Sequence, residues 1–181
     1  MRRRELLATL ATATAAATAG CDGLGESMTG AGDDEETGPV TVETIDAPGS
    51  EAGTATVPES GRVTFVEFFA TTCDICAAQM SVVGQAHQRI DDDVQFLSVT
   101  SEPVGLSVSK AEVASWWADH DGRWPVAADD GTTLARRYDA TSVPTAVVIA
   151  PDGTVTWSHS GRTTASRIVE EIQSARAGGQ S

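Results

Sequence analysis

Residues 63–80, VTFVEFFATTCDICAAQM, constrain this chain more tightly than any other stretch. Both alternate sets of side chains over 62–70 are largely apolar, with Val63, Phe65 and Phe69 on one face and Val66, Phe68 and Ala70 on the other. A strand apolar on both faces belongs in the middle of a sheet covered on both sides, as in α/β proteins. Glu67 shares the face of Phe65 and Phe69, so a carboxylate is carried into the core. Thr71 or Thr72 is expected to cap the helix that follows by accepting from its free amides. Along that helix Cys76, Met80, Val83, His87 and Ile90 recur at steps of four and three, which is one helical face.

Two thiols at the spacing of Cys73 and Cys76, one ahead of the helix and one in its first turn, can close and reopen a disulfide with little backbone movement. Only a thiolate attacks a disulfide, so the attacking cysteine needs exposure and a stabilised anion. Cys73 precedes the apolar stripe and sits at the positive helix end, which meets both needs. Cys76 begins the buried stripe and reads as the resolving thiol. A four-ligand zinc site would require two more Cys or His nearby. His87, His120 and His159 do not supply that spacing, and neither a metal nor a cofactor is expected.

The surrounding chain is read against this core. Residues 40–45 alternate as a half-exposed edge strand, and 54–57 form a second short strand. Asp91, Asp92 and Asp93 make a solvated turn that lacks the spaced acids and glycine of a calcium loop. A strand spans 94–100. Ser109 and Glu112 have capping-box spacing, followed by Val113, Trp116 and Trp117 as packing residues of a helix that Gly122 stops. An extended piece covers 124–127 and a short helix 132–138. Residues 145–150 and 154–158, joined by Pro151, Asp152 and Gly153, read as a hairpin. Ile168, Val169 and Ile172 mark a closing helix, and the tail frays over 177–181. His87 reads as a core-edge histidine, while His120 and His159 show no partner. The order of elements gives a mixed central sheet with a parallel βαβ core, a C-terminal antiparallel hairpin and extra N-terminal strands.

A chain of 181 residues exceeds one typical core of roughly 100–150 residues, which leaves room for an anchor and a linker around a domain at 40–176. Residues 1–20 combine Arg2, Arg3 and Arg4 with a short, weakly apolar run, a secretion signal and not a membrane span. The start resembles a twin-arginine signal, and Ala19, Gly20 and Cys21 resemble a lipobox at which Cys21 is lipidated. Residues 21–39, rich in glycine and acids, then form a flexible tether. The net charge of −14, from 26 acids against 12 bases, argues against nucleic acid as a partner and points to a halophile.

The Cys-x-x-Cys pair at the join of strand and helix, the acid six residues before the first cysteine, Val143-Pro144-Thr145 opening the hairpin and the closing helix resemble the thioredoxin superfamily. The extra N-terminal strands, the long segment over 101–130 and the export signal look most like its membrane-anchored TlpA/ResA-like branch. Thr72 and Ile75 depart from that branch, standing where Trp and Pro usually flank and separate the cysteines. The resemblance implies a thioredoxin-like three-layer α/β fold over 40–175. It implies Glu67 as the acid that moves the proton of Cys76, Pro144 as a cis-proline facing the disulfide, and Val143 and Thr145 bordering the substrate groove. It further implies a monomeric thiol–disulfide oxidoreductase held by lipid on the outer face of the cell membrane. Such a protein acts as a reductant on exported proteins with cysteines or disulfides, fed by a membrane electron donor. Cytochrome c or metal-site cysteines are the substrates it suggests. The alternative is a copper-delivery protein using Cys73 and Cys76 as soft ligands.

Overall fold

The structure is a computed structural model and describes residues 38–178. The expected export signal, Cys21 and most of the expected tether lie outside the described residues. The elements run β1 (Val40–Thr44), β2 (Gly53–Val57), β3 (Thr64–Phe69), α1 (Asp74–His87), β4 (Gln95–Thr100), α2 (Lys110–Asp119), β5 (Val126–Ala128), a 3-10 turn (Asp130–Thr132), α3 (Thr133–Arg137), β6 (Thr145–Ile149), β7 (Val155–Ser160) and α4 (Ala165–Gly178).

All seven strands among the described residues join one sheet in the order β2-β1-β5-β4-β3-β6-β7. β3 is central, parallel to β4 and antiparallel to β6, and every one of its six residues is buried. Its doubly apolar sequence is what allows that placement, because each face meets a separate core. Phe65 and Phe69 pack with Cys76, Met80 and Val83 of α1 and with Ile168 and Ile172 of α4. Val66 and Phe68 pack with Leu97, Val99, Val147 and Leu134 of α3. Helices therefore cover both faces, which gives the three-layer α/β arrangement with a parallel β3–α1–β4 unit and the β6–β7 hairpin.

Several local expectations are corrected, among them the frayed tail over 177–181, of which 177 and 178 still belong to α4. β1 is not an edge strand: it pairs with β2 over its whole length and with β5 at Glu43 and Thr44, and β2 forms the edge. Its alternation arises because Val42 faces a core while Thr41 and Glu43 face solvent, not because one side lacks a partner. Neither threonine caps α1; Cys73 is the cap, and its own Sγ accepts from the Cys76 amide at 3.1 Å.

α2 begins with the expected capping box, Ser109 Oγ accepting from Glu112 N and the Glu112 carboxylate accepting from Ser109 N. The helix ends at Asp119, three residues before Gly122. Glycine is needed at 122 for packing, since a Cβ there would stand 2.2 Å from Trp117 Cε2. Trp117 is fully buried, and Trp116 is half-buried with its ring stacked on Phe69 at 5.0 Å. His87 is half-buried at the core edge against Phe96 and Trp124. His120 and His159, read as partnerless, each contact a carbonyl: His120 Nδ1 lies 2.7 Å from Trp116 O and His159 Nε2 lies 3.1 Å from Arg162 O.

Candidate active site

The site is built where β3 hands over to α1. Beyond Phe69 the chain can no longer pair in the sheet, and it turns through residues 70–73 with the Cys73 amide donating to Ala70 O at 3.2 Å. Cys73, at the cap position, has extended backbone torsions and a half-buried side chain. Cys76, one turn later, is 2% exposed and belongs to the core beneath α1. The two sulfurs are joined in a disulfide with Cα atoms 5.2 Å apart. The Cys76 amide that points at Cys73 Sγ is one of the helix's unpaired N-terminal donors, so the helix end presents positive charge to the more accessible sulfur.

Opposite the disulfide lies the start of β6. Cys73 Sγ is 3.8 Å from the Val143 carbonyl oxygen, and the Val143–Pro144 peptide bond is cis. Val143 is half-buried, while Pro144 and Thr145 are buried. The Thr145 hydroxyl donates to Ser142 O at 2.7 Å, and Gly161 N donates to Pro144 O at 2.7 Å. These bonds fix the Pro144 end of the loop and leave Val143 as the backbone facing the sulfur. Asp74 and Ile75 are exposed between the cysteines, Ile75 at 52%.

Glu67 lies inside the core, 3% exposed, on the sheet face of Phe65 and Phe69, beside Ser98 of β4 in the parallel register. Burial pushes its carboxyl up to about 8 from an ordinary 4.5. Ser98 in turn accepts from Trp124 Nε1 at 2.9 Å. The structure thus brings the cysteine pair together with Val143 and Pro144, and sets Glu67 on the same side of the sheet as Cys76. One further residue joins the site without any signal in its spacing: Glu102, just past β4, holds the turn before Cys73 through Thr71.

Comparison with known proteins places this arrangement. The Redoxin family model matches residues 35–175. The chain belongs to the Redoxin family. Among curated relatives it resembles the thiol-disulfide oxidoreductase ResA of Bacillus thuringiensis subsp. konkukian (strain 97-27), at 22% identity over 114 residues. That match covers 62% of this chain and 63% of the relative, so the chain spans just under two thirds of the length of the curated relatives it matches. Among solved structures, StoA from Bacillus subtilis superimposes with a TM-score of 0.62 at 18% identity, covering 75% of this chain and 98% of that one. The pneumococcal exposed lipoprotein thioredoxin Etrx1, from Streptococcus pneumoniae strain TIGR4, gives a TM-score of 0.61 at 23% identity, covering 74% and 98%. The thioredoxin-like fold of this Redoxin chain, and its likeness to the TlpA/ResA-like branch, agree with the resemblance drawn from its sequence.

Proposed function

We propose that this Redoxin protein is a thiol–disulfide oxidoreductase that works outside the cell membrane. The observation that carries the reading is the Cys73–Cys76 disulfide at the start of α1, with the outer sulfur facing the Val143 carbonyl and the inner one buried. In the reduced chain the Cys73 thiolate attacks one sulfur of a partner disulfide. A mixed disulfide forms, and the partner's other sulfur leaves as a thiolate that takes up a proton. Cys76, having given up its proton, then attacks Cys73 Sγ and expels the partner's second thiolate. The partner disulfide gains two electrons and two protons, and the Cys73–Cys76 dithiol loses them.

Glu67 is the proposed acceptor for the Cys76 proton. Its carboxyl, pushed up to about 8 by burial, lies close to the ordinary thiol value of about 8.5, so a proton passes between them at little cost. Val143, Pro144 and Thr145 border the surface on which an extended partner segment docks. Export by residues 1–20, lipid attachment at Cys21 and a tether over 21–39 place the domain on the outer face of the membrane, as a monomer fed by a membrane electron donor. The likeness to Etrx1, an exposed lipoprotein, supports that placement. The partners are exported proteins with cysteines or disulfides, kept reduced for cytochrome c or metal-site maturation.

The copper-delivery alternative gains nothing from the comparisons, which bring up thiol–disulfide oxidoreductases. Among the described residues no group of three or more His, Cys, Asp or Glu could hold a metal ion.

The test uses the full-length chain with insulin and a dithiol as electron source. Wild type is expected to reduce insulin disulfides while Cys73→Ser stays at background; equal rates would sink the reading. In the native cell, Cys76→Ser is expected to trap exported proteins on Cys73 as mixed disulfides, and capture only of cytoplasmic proteins would overturn the proposed location.

A further inference from the structure

We infer that Glu102 is a positioning residue for Cys73, acting through Thr71; this deepens the oxidoreductase reading and rests on it. The Glu102 carboxylate is a three-donor clamp at the point where two central strands end. Its Oε2 accepts from Thr71 N at 2.7 Å and from Thr100 Oγ1 at 3.0 Å, and its Oε1 accepts from Thr71 Oγ1 at 2.9 Å. Its own amide returns a bond to Thr100 Oγ1 at 3.2 Å. Thr100 is fully buried and pairs in register with Phe69, the last residue of β3. The anchor is therefore core, and what it holds is the first two residues of the turn.

The far end of that turn is tied to α1, where Ala77 N donates to Cys73 O at 3.0 Å and the disulfide joins Cys73 to Cys76, while the near end at Thr71 is held by Glu102. Past Phe69 the backbone leaves the ladder, and the Thr71 N–H would otherwise face water or nothing. Cys73 is joined to the same turn by its bond to Ala70 O. Fixing Thr71 therefore fixes the frame from which Cys73 Sγ reaches both the Cys76 amide and the Val143 carbonyl. A charge-assisted, two-armed clamp restrains a backbone segment better than neutral single bonds do. A released turn lets the sulfur drift off the helix amide, which raises the pH at which Cys73 becomes a thiolate.

Glu102→Gln and Glu102→Ala separate position from charge. The glutamine amide oxygen accepts from Thr71 N while its NH2 donates to a threonine hydroxyl, so the clamp survives without the charge. Alanine removes both. Two readouts are taken on the full-length chain: the pH midpoint of iodoacetamide alkylation at the Cys73 peptide of the reduced protein, by mass spectrometry, and the rate constant of dithiol-driven insulin reduction. Alanine is expected to lie about half a pH unit above glutamine in the midpoint and to be about tenfold slower than wild type, with glutamine within about threefold. Equal behaviour of the two variants, whether both shift or neither does, overturns the positioning role. If Glu102→Ala does not fold, Thr71→Val removes only the hydroxyl arm and is expected to raise the midpoint in the same direction; an unmoved midpoint overturns the inference. Wild type no faster than Cys73→Ser would instead strike the oxidoreductase reading, and the alkylation arm, which needs no turnover, would still decide the role of Glu102.

Discussion

Two carboxylates are buried in this domain, on opposite faces of the sheet, and their surroundings differ in kind. Asp129, 2% exposed at the end of β5, accepts from the amides of Leu134 and Ala135 at 3.0 and 2.8 Å, so the start of α3 supplies donors to a carboxylate. Glu67, 3% exposed on the α1 side, has desolvation as the cause of its shift, and its carboxyl is held up at about 8. The first acid accepts from the start of a helix; the second is kept protonated by desolvation on the sheet face that Phe65 and Phe69 share with Cys76. Burial alone does not make an acid functional, and what separates the two is whether the protein answers the charge with donors.

The largest expected effect comes from removing the unanswered acid. Below an ordinary carboxyl value of 4.5 Glu67 is protonated folded or unfolded, and it adds nothing to the pH dependence of stability. Between 4.5 and about 8 the unfolded chain releases a proton that the folded chain keeps, so stability falls as pH rises, and above about 8 the loss levels off. Glu67→Gln is expected to become more stable than wild type across that window, by up to about 1.4 kcal/mol for each pH unit crossed. Denaturant unfolding of the oxidised protein at several pH values reads this, and a constant offset from wild type would place the carboxyl near its ordinary value. The same variant is expected to slow resolution of mixed disulfides, which stopped-flow release of a thiol partner would show.

Asp129→Ala tests the other acid and has the opposite sign. Two helix amides lose a charged acceptor, at a cost of roughly 3 kcal/mol, while the activity of the folded fraction stays at wild-type level. Activity lost out of proportion to folded protein would mean that Asp129 also serves the redox site.

The sequence makes the α1 face more legible than its surroundings, for a physical reason. Periodicity and thiol spacing are local, so the doubly apolar β3, the start of α1 near Cys73, the hairpin and the burial of Glu67 could all be read from neighbouring residues. What escaped reading depends on partners far along the chain. β1 shows the alternation of an edge strand, yet β5, some eighty residues later, pairs with it. Thr71 has the chemistry of a cap, but its hydroxyl and amide both donate to Glu102. Cys73 then caps the helix itself, a role its position next to two threonines conceals. Asp129 is the exception, because its donors, the amides of Leu134 and Ala135, lie only five and six residues along the chain; a lone acid in a turn carries no periodic pattern that marks it as buried.

A smaller effect sharpens the α1 face further. Trp124 is buried, with its Nε1–H on Ser98 Oγ, next to Glu67 in the sheet. Trp124→Phe keeps most of the apolar contact and removes one neutral hydrogen bond, an expected loss of about 1 kcal/mol in chemical unfolding. If the Ser98 hydroxyl, once freed, turns to Glu67, the pH slope assigned to Glu67 should flatten in this variant; an unchanged slope would show that Ser98 does not reach the carboxyl.

The smallest effect belongs to His87 and is best seen once Glu67 is gone. Desolvation lowers its pKa from the ordinary 6.5, with Asp92 acting the other way, and the ring stacks near Phe96 and Trp124. As pH falls through 6.5 the unfolded chain takes up a proton that the folded chain resists, so His87 makes stability fall toward acid, whereas Glu67 makes it fall toward base. The two slopes oppose each other in wild type just below pH 6.5. The lowered carboxyls of Glu112 and Asp152 titrate below that range and do not interfere. In the Glu67→Gln background stability should therefore rise with pH up to 6.5, and adding His87→Gln should flatten the rise. Half-burial lets solvent screen the ring, so the slope is small; a rise that survives His87→Gln would assign it to some other group.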